Sequence, residues 1–160
     1  MRASSSRDLL NTACGSGVAF FHNGDRAEMR AAILELKDEL MAGEGVEFPV
    51  SHQIAHGTYT RTLFIPKGSL LVGKIHLKDC MNVVARGDIS LLTEFGAKRV
   101  QGGFTGISQA GIMKVGYAHE DTVFMNVFLT DAINLDQIEL EIASESIDTL
   151  IEFEPKEAVL

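Results

Sequence analysis

The chain of 160 residues has no tryptophan, two tyrosines, three prolines and two cysteines. Cys14 and Cys80 form no CxxC pair, so neither a zinc ribbon nor a disulfide-dense secreted scaffold is supported. A reducing, cytoplasmic site of synthesis is expected. Basic charge is also scarce: 14 Lys and Arg stand against 22 Asp and Glu, a net charge of −8 with the histidines neutral. That balance excludes a general binder of nucleic acid or anionic membrane, because phosphate recognition needs a basic face. Long apolar runs are missing too. The longest near the N-terminus, Val18 to Phe21, is too short for a secretory signal, and no segment approaches the roughly 20 apolar residues that span a bilayer.

What is present fits one domain with a terminal appendage. Residues 1–24 are small, polar and glycine-punctuated around "VAFF", and read as an N-terminal arm. Residues 25–43 read as an amphipathic helix packed on the main body. Asp25 and Glu28 have capping-box spacing, Met29, Ile33, Leu36 and Leu40 form one stripe, and Gly43 and Gly45 close it. A helix of about four turns is marginal alone in water and must pack on a partner surface. From Val46 to Phe128 the pattern changes to short β-type runs, "YTRTLFI", "LLVGKIH", "MNVVAR", "DISLLTE", "FTGIS" and "TVFMNVF", broken by "PKG", "RGD", "QGG" and "HED". Many short strands at tight spacing mean an antiparallel barrel or jelly roll. The breaks at Arg86-Gly87-Asp88 and His119-Glu120-Asp121 read as hairpins, the former a turn and not an adhesion motif. "NLDQIELEIAS" reads as a short C-terminal helix capped by Asn134 and Gln137, with Leu135, Ile138 and Ile142 on one face. The last unit thus runs over 46–160, including that helix and an acidic, apolar tail.

In "GKIHLKDCMNVVARGDI" an extended strand would put His76, Lys78 and Cys80 on one face. This run resembles the first motif of the cupin superfamily, with His76 at the first histidine, Lys78 at the second, Cys80 at the acidic ligand and Gly87 at the closing glycine. "QAGIMKVGYAHEDTVFMNV" resembles the second motif, with Gly111 fitting and Lys114 at the histidine position. Over residues 25–145 the chain is similar to small cupin-like proteins of tailed bacteriophages, through "YTRTLFIPKG", "GKIH" and "HEDTV". The resemblance implies a mainly β, cupin-like antiparallel jelly-roll barrel with an N-terminal amphipathic helix and a short C-terminal helix.

The resemblance also implies a metal-binding strand, but the matching positions offer one imidazole, one thiol and two ammonium groups. The leading reading of His76, Lys78, Cys80 and Lys114 is therefore a mixed polar barrel mouth, with Cys80 packed as a small apolar residue. An anion pocket built on Lys78 and Lys114 comes second. A zinc or copper site using His76, Cys80 and one further ligand comes third, so no cofactor is expected, with a divalent metal as the alternative. His52 and His56 share i, i+4 spacing but lack the zincin glutamate, and read as a loop before the barrel. His119-Glu120-Asp121 reads as an exposed turn. "CGSGVAF" at Cys14 lacks the Walker lysine and an assignable histidine partner.

Two function classes follow. The first is a non-enzymatic bacteriophage structural or accessory protein, a cupin-like scaffold in a virion, with itself and other phage structural proteins as partners and with neither nucleic acid nor membrane. The second is a metal- or small-anion-binding cupin, an enzyme or a ligand-binding accessory factor, that uses the barrel mouth. Expected locations are the virion or the host cytoplasm. Open sheet edges and an outer amphipathic helix point to a homo-oligomer.

Overall fold

The computed structural model describes residues 26–144. The expected arm at 1–24, the cap at Asp25 and the tail beyond Ser144 lie outside the described residues. Helix α1 (Arg26–Ala42) carries the expected stripe: Met29, Ile33 and Leu36 are buried with Ala32, and Leu40 sits at the exposed end. The buried face meets Ile75, Leu92, Met113 and Val115. Each such side chain gains about 1.5–3 kcal/mol on leaving water, which offsets the weak helix-forming tendency of an isolated segment. Glu94 anchors the same helix by accepting from Arg30 Nε at 3.0 Å, with Arg30 Nη2 at 2.8 Å.

Eleven strands follow in the described residues. A five-stranded antiparallel sheet has the order β1-β2-β10-β5-β8. It is built from β1 (Val50–Ala55), β2 (Thr58–Ile65), β5 (Cys80–Arg86), β8 (Phe104–Ser108) and β10 (Thr122–Leu129). A four-stranded sheet runs β3-β9-β6-β7, from β3 (Leu70–Val72), β6 (Asp88–Thr93), β7 (Gly96–Gln101) and β9 (Val115–Ala118). Ile65, Val84, Ile89, Leu91, Val100, Ala118 and Phe124 fill the space between them. The short β4 (Ile75–His76) pairs with β11 (Ala143–Ser144) at one end of the barrel. Helix α2 (Leu135–Ile142) begins at Asn134, whose side chain accepts from Gln137 N–H at 3.0 Å. Its Ile138 and Ile142 close that end over Tyr59, Cys80 and Phe128. The expected mainly β, antiparallel jelly roll with an N-terminal helix and a short C-terminal helix is the observed fold.

Three local expectations are corrected. Residues 86–88 do not close a hairpin, because β5 lies in the five-stranded sheet and β6 in the four-stranded one. Residues 119–121 likewise carry the chain from β9 in one sheet to β10 in the other. Turn residues announce that a strand ends, not which layer the next one joins. Gly87 makes its corner at φ +100, where an added Cβ would lie 2.6 Å from the Asp121 carbonyl oxygen. The segment "SHQIAHG", expected as a loop, forms β1 and its turn: His52 pairs across the ladder with Arg61, and Gly57 turns at φ +75.

Candidate functional site

Strand alternation places the site. On β2, Tyr59, Arg61, Leu63 and Ile65 face inward, and on β10 so do Phe124, Asn126 and Phe128. From the facing sheet come Leu71, Ile89, Leu91 and Gly116, and from the barrel end come His76 and Lys114. Together they line a cavity of about 70 Å³ whose walls are mainly apolar. Its polar groups are Arg61, Lys74, His76, Lys114 and Asn126. The described lining therefore has three side chains of basic type and no carboxylate.

Lys114 is the most unusual of these. Its side chain is buried, with the residue 8 % exposed, and it makes no hydrogen bond or ion pair among the described residues. Its position follows from the chain just before β9: the Lys114 carbonyl accepts from Gly73 N–H at 2.8 Å, which fixes the backbone. Burial pulls the ammonium below its ordinary pKa; the Cys80 thiol opposes that pull and the charge of Arg61 adds to it. Arg61 reaches Glu139 of α2 through Nη1 at 3.8 Å, but its Nε is buried with no partner. Lys74 stands at the rim, 3.6 Å from the same Glu139. A buried N–H without an acceptor costs on the order of 1–3 kcal/mol, and a buried ammonium without one costs more.

His76 is held at a pKa of about 2 by burial first and then by Lys114 and Arg61, so its ring is neutral at physiological pH. Its Nδ1 lies 3.3 Å from Cys80 Sγ, and its ring packs edge-on to Phe128 at 5.1 Å. Burial raises the pKa of the Cys80 thiol, which outweighs the lowering by Lys114 and Arg61. Behind it, Asn126 Nδ2 donates to Asn82 Oδ1 at 2.8 Å. Tyr59 stacks on Phe128 at 6.2 Å and contacts His52 Nδ1 through its hydroxyl at 2.7 Å, so a line of rings runs from β1 toward the cavity.

The structure brings His76, Cys80 and Lys114 together, but not Lys78. Residues 77–79 form a bend between β4 and β5, so the two-residue alternation that would align His76 with Lys78 is broken. Lys78 turns instead toward α2, where its ammonium pairs with Glu141 and donates to the Leu129 carbonyl at 3.3 Å. Cys80 is not part of the cavity wall and packs against Ile138 and Ile142. The group that the family resemblance implies, a divalent cation, does not fit these donors. One neutral imidazole and one protonated thiol sit beside two basic side chains, and no three His, Cys, Asp or Glu of the described residues gather as a cation site.

Arg61 and Asn126 were not singled out in the sequence, although the signal was present. An arginine between Tyr59 and Leu63 at the inward period of "YTRTLFI", and an asparagine between Phe124 and Phe128 in "TVFMNVF", are polar interruptions of an apolar face. A second polar cluster lies at the far corner. Asp88 accepts from Arg99 Nε at 2.7 Å, Arg99 Nη2 at 2.9 Å and Gln101 Nε2 at 3.0 Å, and the Arg99 hydrogen bond foremost keeps its carboxyl ionised below the usual range. His119 is half-buried and lies 2.7 Å from Ser90 Oγ, whereas Glu120 and Asp121 are exposed as expected. Asp121 accepts from Lys67 N–H, so this cluster ties corners together.

No protein-family model matches the chain, and no curated protein matches it. Among solved structures the chain is similar to KdgF from Halomonas sp., at 18% identity over 59% of this chain and 90% of that one, with a TM-score of 0.47. It is similar to a cupin domain from Bordetella pertussis, at 19% identity over 54% and 99% of the two chains, TM-score 0.42. A Cupin 2 conserved barrel domain protein from Salinispora arenicola is similar at 9% identity over 56% and 83%, TM-score 0.46.

Proposed function

We propose that this chain is a ligand-binding jelly roll that takes a small organic anion, a carboxylate with an apolar body, between its two sheets. One observation carries the reading: the buried Lys114, with no partner among the described residues, lines a mainly apolar cavity together with Arg61, whose Nε has no acceptor. Two basic groups facing an apolar space are costly when empty and become complementary when a carboxylate enters. The anion favours the charged form that burial opposes on Lys114, so affinity falls as pH rises. The test is thermal unfolding of the full chain with acetate, propionate and inorganic phosphate. Propionate is expected to stabilise most, by about 2.7 kcal/mol at a hundredfold excess over Kd, and Lys114→Met to remove the effect. No stabilisation by any of the three overturns the reading.

A second reading, the subunit-contact scaffold of a virion, is favoured by a different surface. The outward face of the five-stranded sheet exposes Phe64, Met81, Ile107 and Leu129, with Met125 and Val127 between them. The outward positions Thr60 to Phe64, Met81 to Ala85 and Val123 to Leu129 hold no charged side chain. On a chain of net charge −8 such a neutral face suits a second copy of itself, because two copies meet there without like-charge repulsion. The virion setting has only the sequence resemblance behind it. Sedimentation of the full chain over a concentration series tests the contact, and the monomer mass at every concentration removes it.

A further inference from the structure

We propose that Lys114 is a carbonyl-trapping amine and that the cavity's ligand is a small oxo acid, its carboxylate held by Arg61 and its carbonyl carbon bonded to Lys114 Nζ. The carboxylate half rests on the anion-binding reading above; the carbonyl half is new. A lysine captures a carbonyl through its neutral form, and burial away from water favours that form. Lys114 meets this condition, whereas the other lysine at the cavity, Lys74, is half-exposed and paired to Glu139. The rival nucleophile is set aside by position: Cys80 is outside the cavity wall, its thiol facing His76 and Asn82.

The surroundings suit the product. Leu63, Ile65, Leu91 and Phe124 give the space where an imine would form an apolar wall. Among the described residues no carboxylate lines the cavity to lock the amine in an ion pair, and His76 is neutral and adds no competing charge. The cavity of about 70 Å³ suits a ligand of few heavy atoms, such as a short oxo acid. The step balances within these groups. The Nζ lone pair forms the C–N bond while the C=O π pair moves to oxygen, giving a carbinolamine after a proton passes from nitrogen to oxygen. The hydroxyl then departs as water with the second proton of the nitrogen, leaving C=N, so that amine and carbonyl become imine and water with no oxidant or reductant.

The test incubates the full chain with pyruvate and cyanoborohydride, which reduces the imine to a stable secondary amine, followed by intact-mass and peptide mass measurement. One adduct at Lys114 is expected, heavier than the free chain by pyruvic acid less one oxygen atom, and formed on the order of tenfold faster than at any exposed lysine. The exposed lysines serve as the reference, so no variant has to fold. Adducts spread over exposed lysines with none favoured at Lys114 overturn the proposal. If propionate stabilises the chain and pyruvate does not label Lys114, the oxo-acid proposal falls and the anion reading stands; if neither occurs, both fall. Arg61→Gln is expected to lower labelling by pyruvate on the order of tenfold while leaving labelling by uncharged acetone unchanged. An equal loss for both probes overturns the role given to Arg61.

Discussion

At the scale of single residues, the decisive feature is a basic side chain placed where its charge is poorly tolerated. In the free protein burial disfavours the charged form of Lys114, so keeping its ammonium there costs stability. Its folded pKa lies below its unfolded value, so between the two values the unfolded chain binds more protons and stability rises with pH. Below the folded pKa the cost is present in full; above about 10.4, the unfolded value, it is relieved. Lys114→Met is therefore expected to raise the free energy of unfolding by about 1–3 kcal/mol at neutral pH and to flatten the alkaline rise. Urea titrations from pH 7 to 10 check both statements, and a destabilised Met variant with the slope intact contradicts them. On the anion reading the same substitution is expected to weaken ligand binding. Opposite effects on stability and on binding are the signature of a side chain kept for function.

At the scale of elements, the barrel is assembled by corners and by helix anchors. The corner at Gly87 needs a positive φ and leaves no room for a Cβ against Asp121 and Thr122. Helix α1 is held by its apolar stripe and by Glu94, whose buried carboxylate meets Arg30 and, at 3.6 Å, Arg26. Glu94→Ala is expected to cost about 1–3 kcal/mol, because two arginines lose their acceptor. The loss should concentrate in α1, and native-state hydrogen exchange reads it as selective deprotection of amides in 29–42 with the strand amides little changed. Uniform deprotection across the sheets would contradict that local role. The element-level features were unevenly legible. The stripe of α1 and the cap of α2 show in the sequence because both are local, set by residues three or four apart. The layer that β6 or β10 joins does not show, because sheet pairing is decided by residues far along the chain.

At the scale of the whole molecule, the neutral outer sheet face and the charged remainder make opposite statements about association. If two copies meet on the face around Met125 and Val127, placing a carboxylate at its centre should part them. Met125→Glu is expected to shift a dimer toward monomer by on the order of tenfold or more in Kd while leaving the fold intact, since Met125 points away from the core. Analytical ultracentrifugation with circular dichroism checks both. A wild-type dimer that the substitution leaves unchanged puts the interface elsewhere.

The sequence by itself determined the class of the fold and the two described helices, and it singled out three of the four residues from which the proposed site is argued. His76, Cys80 and Lys114 were marked by their place in short motifs, where residue type and spacing carry the information. Tertiary structure alone decided how they are grouped. It turned Lys78 outward through the bend at 77–79, packed Cys80 under α2, and brought Arg61 of β2 beside Lys114. It also left the described lining without a carboxylate, so that Arg61 and Lys114 share a mainly apolar cavity. The physical reason is that local pattern sets which face a side chain takes, whereas burial, charge neighbourhood and a missing hydrogen-bond partner are properties of the packed whole.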